Sequence, residues 1–280
     1  MQAHSESTKV RPPAVAGQFY PGDPHRLRAE VIELLANVPA SARVSPKALI
    51  VPHAGYVYSG QVAATAFAGL QGSAQTIKRV VLIGPSHYFR LNGIAVPTVN
   101  AFETPLGRVP LDRDALAAIG DLPSVIHTDA PHAPEHALEV ELPFLQTLLN
   151  AFAVVPLLVG DTIPEEVADV LQRLWGGPET LILVSSDLSH YYNYDTARRL
   201  DATTAAAIEH GDWAGLGPNN ACGFLPVAGL LIEAKRRGLR AQRLSMCNSG
   251  DTAGSRDRVV GYGSWTLEEV PRHLPVTTPA

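Results

Sequence analysis

The sequence predicts a single three-layer α/β domain in which a largely parallel central sheet is flanked by helices. Short apolar runs typical of buried strands alternate with longer segments at helical spacing, and three of these runs lead directly into polar, reactive side chains. No repeat or low-complexity linker divides the chain. We therefore expect one domain over residues 11–270, with flexible termini at residues 1–10 and 271–280.

The individual elements follow from local signals. Asp23 is a typical N-cap and Pro24 suits the first turn of the helix that follows. The buried stripe of this helix is expected from Leu27, Val31, Leu34 and Leu35. Hydrophobic spacing predicts further helices at residues 61–70, 114–119, 142–149, 164–175, 194–210 and 224–237. Apolar runs predict strands at residues 47–51, 79–83, 93–97, 154–159, 181–184, 241–246 and 258–267.

Composition excludes several classes of function. The chain has 280 residues, of which 46% are hydrophobic and 18% charged, and a net charge of −5 gives no nucleic-acid footprint. The N-terminus does not resemble a signal peptide, and no stretch is long and apolar enough to span a membrane. Two cysteines, Cys222 and Cys247, are too few for a disulfide scaffold. We expect a cytoplasmic protein that binds neither nucleic acid nor a membrane.

Histidines follow three of the predicted buried strands. His53 and His87 come shortly after the first two, and Asp187 and His190 follow the strand at residues 181–184. Ligands of open α/β sheets bind at the carboxyl ends of the strands, and histidine is both the commonest metal ligand and the usual acid or base. A single histidine there is more often an ordinary hydrogen-bonded residue, and Asp187 alone could be a helix cap. Three such strand ends together favour a functional site.

Two histidines and one carboxylate, with open coordination positions, suit mononuclear non-haem iron(II). For the third ligand the sequence offers Cys247 and Asp251, which lie between the last two predicted strands. A thiolate would favour copper or zinc, whereas a carboxylate would favour iron. The alternative is that residues 249–251 form an ordinary turn.

Four more residues are expected to line a substrate pocket beside the histidines. His136 lies between two glutamates at a spacing that allows contacts on a helix, and Glu135 is one of them. The alternative for this pair is a solvated acidic helix face. Tyr56 and Tyr88 flank the strand-end histidines, where they could line a pocket or be ordinary half-buried aromatic residues.

Five motifs occur in the order of the Memo-like family, whose bacterial members are also called AmmeMemoRadiSam system protein B. The motifs are at residues 52–60, 84–87, 135–139, 185–190 and 249–251, and the chain resembles the family from about residue 11 to residue 265. The family is similar in fold to LigB-type class III extradiol dioxygenases. That resemblance implies that His53 and His87 are metal ligands, that His190 is an acid–base residue, and that Asp187 supports it.

The sequence departs from the family pattern in the C-terminal loop. Animal Memo proteins have a cysteine ligand there, but counting back from Asp257 and Tyr262 places that position near Asp251 or Thr252. Cys247 lies several residues too early. Asp251 is therefore the expected third ligand.

The resemblance implies a metal-dependent, dioxygenase-like oxidoreductase that binds iron(II), with copper as the alternative metal. The other hypothesis is a metal- or peptide-binding protein that keeps a vestigial dioxygenase site without turnover. The expected ligand is a small molecule or a peptide, and the name of the bacterial system implies radical-SAM partner proteins. A fold resemblance alone does not decide whether the protein is an enzyme.

Overall fold

The computed structural model describes residues 9–39 and 46–269, so most of the two terminal segments that we expected to be flexible lies outside the described residues. The helices are α1 (Pro24–Ala36), α2 (Tyr56–Phe67), α3 (Arg113–Ala118), α4 (Leu142–Leu148), α5 (Pro164–Leu174), α6 (Tyr194–His210) and α7 (Phe224–Arg237). The strands are β1 (Val10–Arg11), β2 (Ala48–Val51), β3 (Arg79–Pro85), β4 (Ile94–Val96), β5 (Ala101–Thr104), β6 (Gly107–Pro110), β7 (Val125–His127), β8 (Ala153–Val159), β9 (Thr180–Ser185), β10 (His190–Tyr192), β11 (Leu239–Asn248) and β12 (Val259–Glu269).

The main sheet combines parallel and antiparallel pairs of strands. Its strand order is β10-β12-β2-β9-β3-β8-β4-β7, and β11 pairs with β12. The central strands β2, β9, β3 and β8 are parallel, whereas β12 is antiparallel to β2 and β4 is antiparallel to β8. The α/β fold class is confirmed, but the sheet is mixed. The connection between β11 and β12 is too short for a helical crossover, so these strands must run antiparallel.

Most predicted elements are present, and the differences have local causes. Helices α6 and α7 have the predicted bounds, and Asp23 caps α1 by accepting the backbone N–H of Arg26. Helix α2 begins five residues earlier than expected and runs through Gly60. A Cβ at Gly60 would lie 3.0 Å from Leu34, so the glycine lets α1 approach α2 closely. Val10 pairs with Ala101 in a small sheet of β1, β5 and β6. Residue 10, which we expected to belong to a flexible terminus, is therefore part of a strand.

The parallel register brings three strand ends to one edge of the sheet. Val51 at the end of β2 is paired with Ser185 at the end of β9, and Val184 of β9 is paired with Ile83 of β3. All residues of β2 and β9 are buried, which explains their continuous apolar runs. The loops that carry His53, His87 and residues 187–190 therefore start side by side.

A buried ion pair ties the N-terminal segment to the chain that precedes α4. Arg11 donates to the carboxylate of Glu139 at 2.6 Å and to the carbonyls of His132 and Glu135. Glu139 is fully buried and also accepts from the Tyr20 hydroxyl and two backbone N–H groups. Removing one partner of such a pair typically costs about 3–5 kcal/mol. The acidic motif at residues 135–139 is thus buried, and the alternative of a solvated helix face is wrong.

None of the helices in the described part of the chain combines the length and the apolar character needed to cross a bilayer.

Buried His132 makes the stability of the protein depend on pH. Its burial lowers its pKa from 6.5 to about 4. Between about pH 4 and pH 6.5 the unfolded chain therefore binds more protons, and the free energy of unfolding falls as the pH falls. In the metal-free protein, His132→Gln should reduce this slope by up to about 1.4 kcal/mol per pH unit.

The measurement is urea unfolding in the presence of a chelator at several pH values in this window. His25 is exposed, so His25→Gln is the matched control and should leave the slope unchanged. An unchanged slope in His132→Gln would show that this histidine does not carry the pH dependence.

Candidate metal centre

Three histidines converge at the edge of the sheet where β2 and β3 end. One ring nitrogen from each of His53, His87 and His136 lies within 4.8 Å of the others. The ring centroids of His87 and His136 are 4.8 Å apart and nearly stacked, while the ring of His53 meets both edge-on. Within the described residues this is the group of side chains suited to hold a metal ion. We call it the histidine cluster.

Each histidine reaches the cluster from a different part of the chain. His53 follows β2 by two residues and His87 follows β3 by two residues. His136 lies in the irregular segment before the 3₁₀ turn Glu139–Glu141, and this segment is fixed by the ion pair between Arg11 and Glu139. The cluster therefore depends both on strand register and on buried contacts of the segment that carries His136, among them the salt bridge between Arg11 and Glu139.

The buried carboxylate of Glu135 orients two of the histidines. It accepts the Nδ1–H of His87 at 2.8 Å and lies 3.3 Å from Nδ1 of His136. It also accepts the backbone N–H groups of His87, His136 and Ala137. Burial would raise the pKa of Glu135, but the hydrogen bonds and charge of His87 together with these backbone N–H groups lower it to about 2. Glu135 is therefore ionised, and a proton on each Nδ1 leaves each Nε2 free to bind a metal.

The ring of His53 is held in a similar way from the opposite side. Its Nδ1 lies 2.7 Å from the hydroxyl of Ser185, and its backbone N–H donates to Asp187 at 2.9 Å. Its Nε2 lies 3.4 Å from Sγ of Cys222. Asp187 thus positions the backbone of His53, whereas we expected it to support His190.

Burial disfavours the protonated forms of His53 and His136 in the cluster. Burial, followed by the charge of His87, places the pKa of His53 well below its ordinary value. Burial and the charge of His53 lower the pKa of His136 to about 4. Neutral imidazole is the form that coordinates metals. Three imidazoles beside one ionised carboxylate form a donor set that fits a divalent first-row metal.

His190 follows β9 near the cluster, and in the described part of the chain only one of its ring nitrogens has a hydrogen-bond partner. Its Nδ1 is 2.8 Å from the carbonyl of Leu188, and a carbonyl oxygen only accepts, so Nδ1 carries the proton. Nε2 is then an acceptor. Burial raises the pKa of nearby Asp187, an effect that the charge of His190 opposes. The arrangement suits a residue that accepts a proton at Nε2.

Asp251 is not part of the histidine cluster, contrary to our expectation, and His136 is there instead. Asp251 ends the 3₁₀ turn Ser249–Asp251, and one of its carboxylate oxygens accepts the backbone N–H of Asn248. The other oxygen accepts the hydroxyl of Tyr194. Asp251 and Cys247 line a different cavity of about 360 Å³. The simpler interpretation of residues 249–251 as a turn agrees with the structure.

The two tyrosines expected in a substrate pocket have different surroundings. Tyr88 is 56% exposed at the rim of the cluster, and its hydroxyl lies 3.3 Å from Nδ1 of His136. Tyr56 is buried, and its hydroxyl donates to the carbonyl of Val140, so it belongs to the core. Sequence reasoning missed a third tyrosine. Tyr191 is 63% exposed, contacts the ring of His190 and has a φ of 64°, which is rare for a bulky residue.

Comparisons with known proteins place this arrangement in a family. The family described as "Memo-like protein" matches residues 11–266. A MEMO1 family protein of Sulfolobus acidocaldarius is 34% identical, with 90% of this chain and 97% of that protein covered. MEMO1 family proteins of Aquifex aeolicus and Ignicoccus hospitalis are 35% and 36% identical, each with 91% of this chain and 97% of the relative covered.

Among solved structures, an uncharacterized protein of Escherichia coli K12 matches with a TM-score of 0.48 at 11% identity. The match covers 77% of this chain and 98% of that one. This likeness is too weak to carry an argument about function. The family match spans nearly the whole chain, and relatives share about a third of its residues over about nine tenths of its length. This chain therefore belongs to the Memo-like family.

Proposed function

We propose that this protein binds one divalent metal ion through Nε2 of His53, His87 and His136, and that it is a metal-dependent oxidoreductase. The observation that supports the proposal is the convergence of three imidazoles whose Nδ1 atoms all face protein partners. Such partners fix the ring orientation of metal-binding histidines and raise their basicity.

The choice of metal rests on two arguments. The resemblance to class III extradiol dioxygenases supports iron(II), and we propose iron(II) with copper as the alternative. The third donor is an imidazole rather than the expected carboxylate, and imidazole suits iron, copper and zinc alike. When bound, the ion would supply Lewis-acid and redox chemistry at coordination positions that the three histidines leave open.

The surrounding residues indicate how a substrate would be handled. His53 is almost fully buried, whereas the side chain of His87 is 26% exposed, so ligands would enter from the side of His87. The exposed rings of Tyr88 and Tyr191 border that side and can stack on an aromatic substrate. His190 would accept a proton from a hydroxyl group of the substrate at its free Nε2. These features suit a phenolic compound.

A second function is favoured by the same exposed rim. Tyr88, Tyr191 and Arg258, whose guanidinium lies 5.1 Å from the centre of the Tyr191 ring, form a surface that a peptide could contact without turnover. The protein would then be a metal- or peptide-binding protein. Partnership with radical-SAM proteins stays a prediction from the family resemblance.

The ligand set can be tested by single substitutions. His136→Ala should weaken iron(II) binding as strongly as His53→Ala or His87→Ala does, because each removes one of three donors. We expect a loss of at least about 10–100-fold, the size found when metal shells are disturbed. Anaerobic iron(II) titration and elemental analysis measure the affinity and the stoichiometry.

Asp251→Ala and Cys247→Ser are the matched controls, since both residues lie outside the cluster. Each should keep its iron(II) affinity within a few-fold of the unsubstituted protein. Loss of iron in Asp251→Ala together with retention in His136→Ala would contradict the ligand assignment.

The role of His190 separates the two functions. His190→Ala should still bind iron(II) but lose about 10²–10⁴-fold in oxygen-dependent turnover, the usual effect of removing a general acid or base. Oxygen uptake with a panel of phenolic compounds provides the readout, and His210→Ala, on the surface at the end of α6, is the control. Loss of the metal in His190→Ala would contradict the assignment. If turnover is absent and only peptide affinity changes, the protein is a binding protein.

A further inference from the structure

Ser185, the last residue of β9, makes three short contacts with groups from three different segments. Its Oγ lies 2.7 Å from Nδ1 of His53, 2.7 Å from the carbonyl oxygen of Ala137 and 2.9 Å from Oε1 of Glu141. All four residues are buried. Water does not compete for these groups, so the hydrogens must be shared among the four residues themselves.

Only one distribution of hydrogens satisfies all three contacts. A serine hydroxyl donates one hydrogen and can accept two, while a carbonyl oxygen can only accept. Ser185 must therefore donate to Ala137. His53 and Glu141 must then both donate to Ser185, which requires a hydrogen on Nδ1 of His53 and a protonated carboxyl group on Glu141.

The alternatives each leave two acceptors in contact. If Ser185 donated to an ionised Glu141 or to an unprotonated Nδ1 of His53, its oxygen would face the carbonyl oxygen of Ala137 at 2.7 Å with no hydrogen between them. In a buried site that arrangement carries the full cost of an unsatisfied acceptor, about 1–3 kcal/mol.

The surroundings of Glu141 also favour its neutral form. Its side chain is fully buried, and Oε2 has no hydrogen-bond partner among the described residues. Burial raises the pKa of Glu141 well above its ordinary value; the hydrogen bond with Ser185 opposes this shift, and the charge of Asp187 adds to it. An ionised carboxylate with one unpaired oxygen would be far more costly here than a neutral acid.

We propose that Glu141 is a neutral carboxylic acid that acts through Ser185 to keep His53 in the tautomer with hydrogen on Nδ1, so that Nε2 is free for a metal. Glu141 and Ser185 are positioning residues. The same hydroxyl also holds the carbonyl of Ala137, next to His136, so it joins the segments that carry two of the three ligands. The metal-related part of this inference rests on the proposed function of the histidine cluster.

Substitutions at these two residues test the inference through metal affinity. Glu141→Gln keeps a donor toward Ser185 without a titratable proton and should bind iron(II) within a few-fold of the unsubstituted protein. Glu141→Leu removes the hydrogen-bond donor to Ser185, and Ser185→Ala removes the hydroxyl group that links Glu141 to His53. Each variant should lower the affinity for iron(II) about 10–100-fold. Ser264→Ala, which deletes a buried hydroxyl on β12 without a partner among the described residues, is the control.

Two measurements on the metal-free, unsubstituted chain do not depend on how the variants fold. Nitrogen-15 NMR of labelled histidine should show His53 with hydrogen on Nδ1 and a bare Nε2. Infrared difference spectra should show the carbonyl band of a buried carboxylic acid that shifts in heavy water and is missing in Glu141→Gln.

Hydrogen on Nε2 of His53, an ionised Glu141, or a Glu141→Gln variant as weak as Glu141→Leu would overturn the inference. The proposed function can fail separately. If the unsubstituted protein binds no iron(II) while NMR and infrared spectra show the stated protonation, the hydrogen-bond assignment stands and the metal-binding proposal is contradicted.

Discussion

The ion pair between Arg11 and Glu139 is the interaction on which the arrangement of the site depends. His53 and His87 are placed by strands, but His136 lies in an irregular segment that has no sheet ladder to fix it. Arg11 supplies that constraint by bonding both the carboxylate of Glu139 and two carbonyls of the same segment. The pair is fully enclosed and its hydrogen bonds are satisfied, which is the condition under which a buried charge is tolerated.

Three glutamates on this short segment have three different environments. Glu135 is ionised by hydrogen bonds from His87 and the backbone, and it orients two rings. Glu139 is paired with Arg11. Among the described residues, the side chain of Glu141 hydrogen-bonds only to the hydroxyl of Ser185, and we propose that it is neutral. Burial is similar in all three, so the available partners decide the charge of each carboxyl group and hence its task.

The sequence revealed the parts of the site that depend on local pattern. Continuous apolar runs followed by small and polar residues identified His53, His87 and His190, because parallel strands end at one edge of the sheet. We expected His136 only in the substrate pocket, and we expected Asp251 to be the third metal ligand. The sequence did not reveal the role of His136 because the contacts that hold the site join residues distant in sequence. Ser185 and His53 are 132 residues apart, and Arg11 and Glu139 are 128 residues apart. Neither contact produces a periodic pattern in the sequence. The turn at residues 249–251 is local, so the sequence did indicate it as the alternative to a metal-binding role for Asp251.

The central claim is that three histidines form one metal site at the end of β2 and β3. The most direct measurement is a crystal structure of protein loaded anaerobically with iron(II), with anomalous diffraction recorded on both sides of the iron absorption edge. We expect one iron peak per chain within bonding distance of Nε2 of His53, His87 and His136, with Glu135 hydrogen-bonded behind two of the rings. A peak at Asp251 or Cys247, or iron bound through Nδ1 of any of the three histidines, would contradict it.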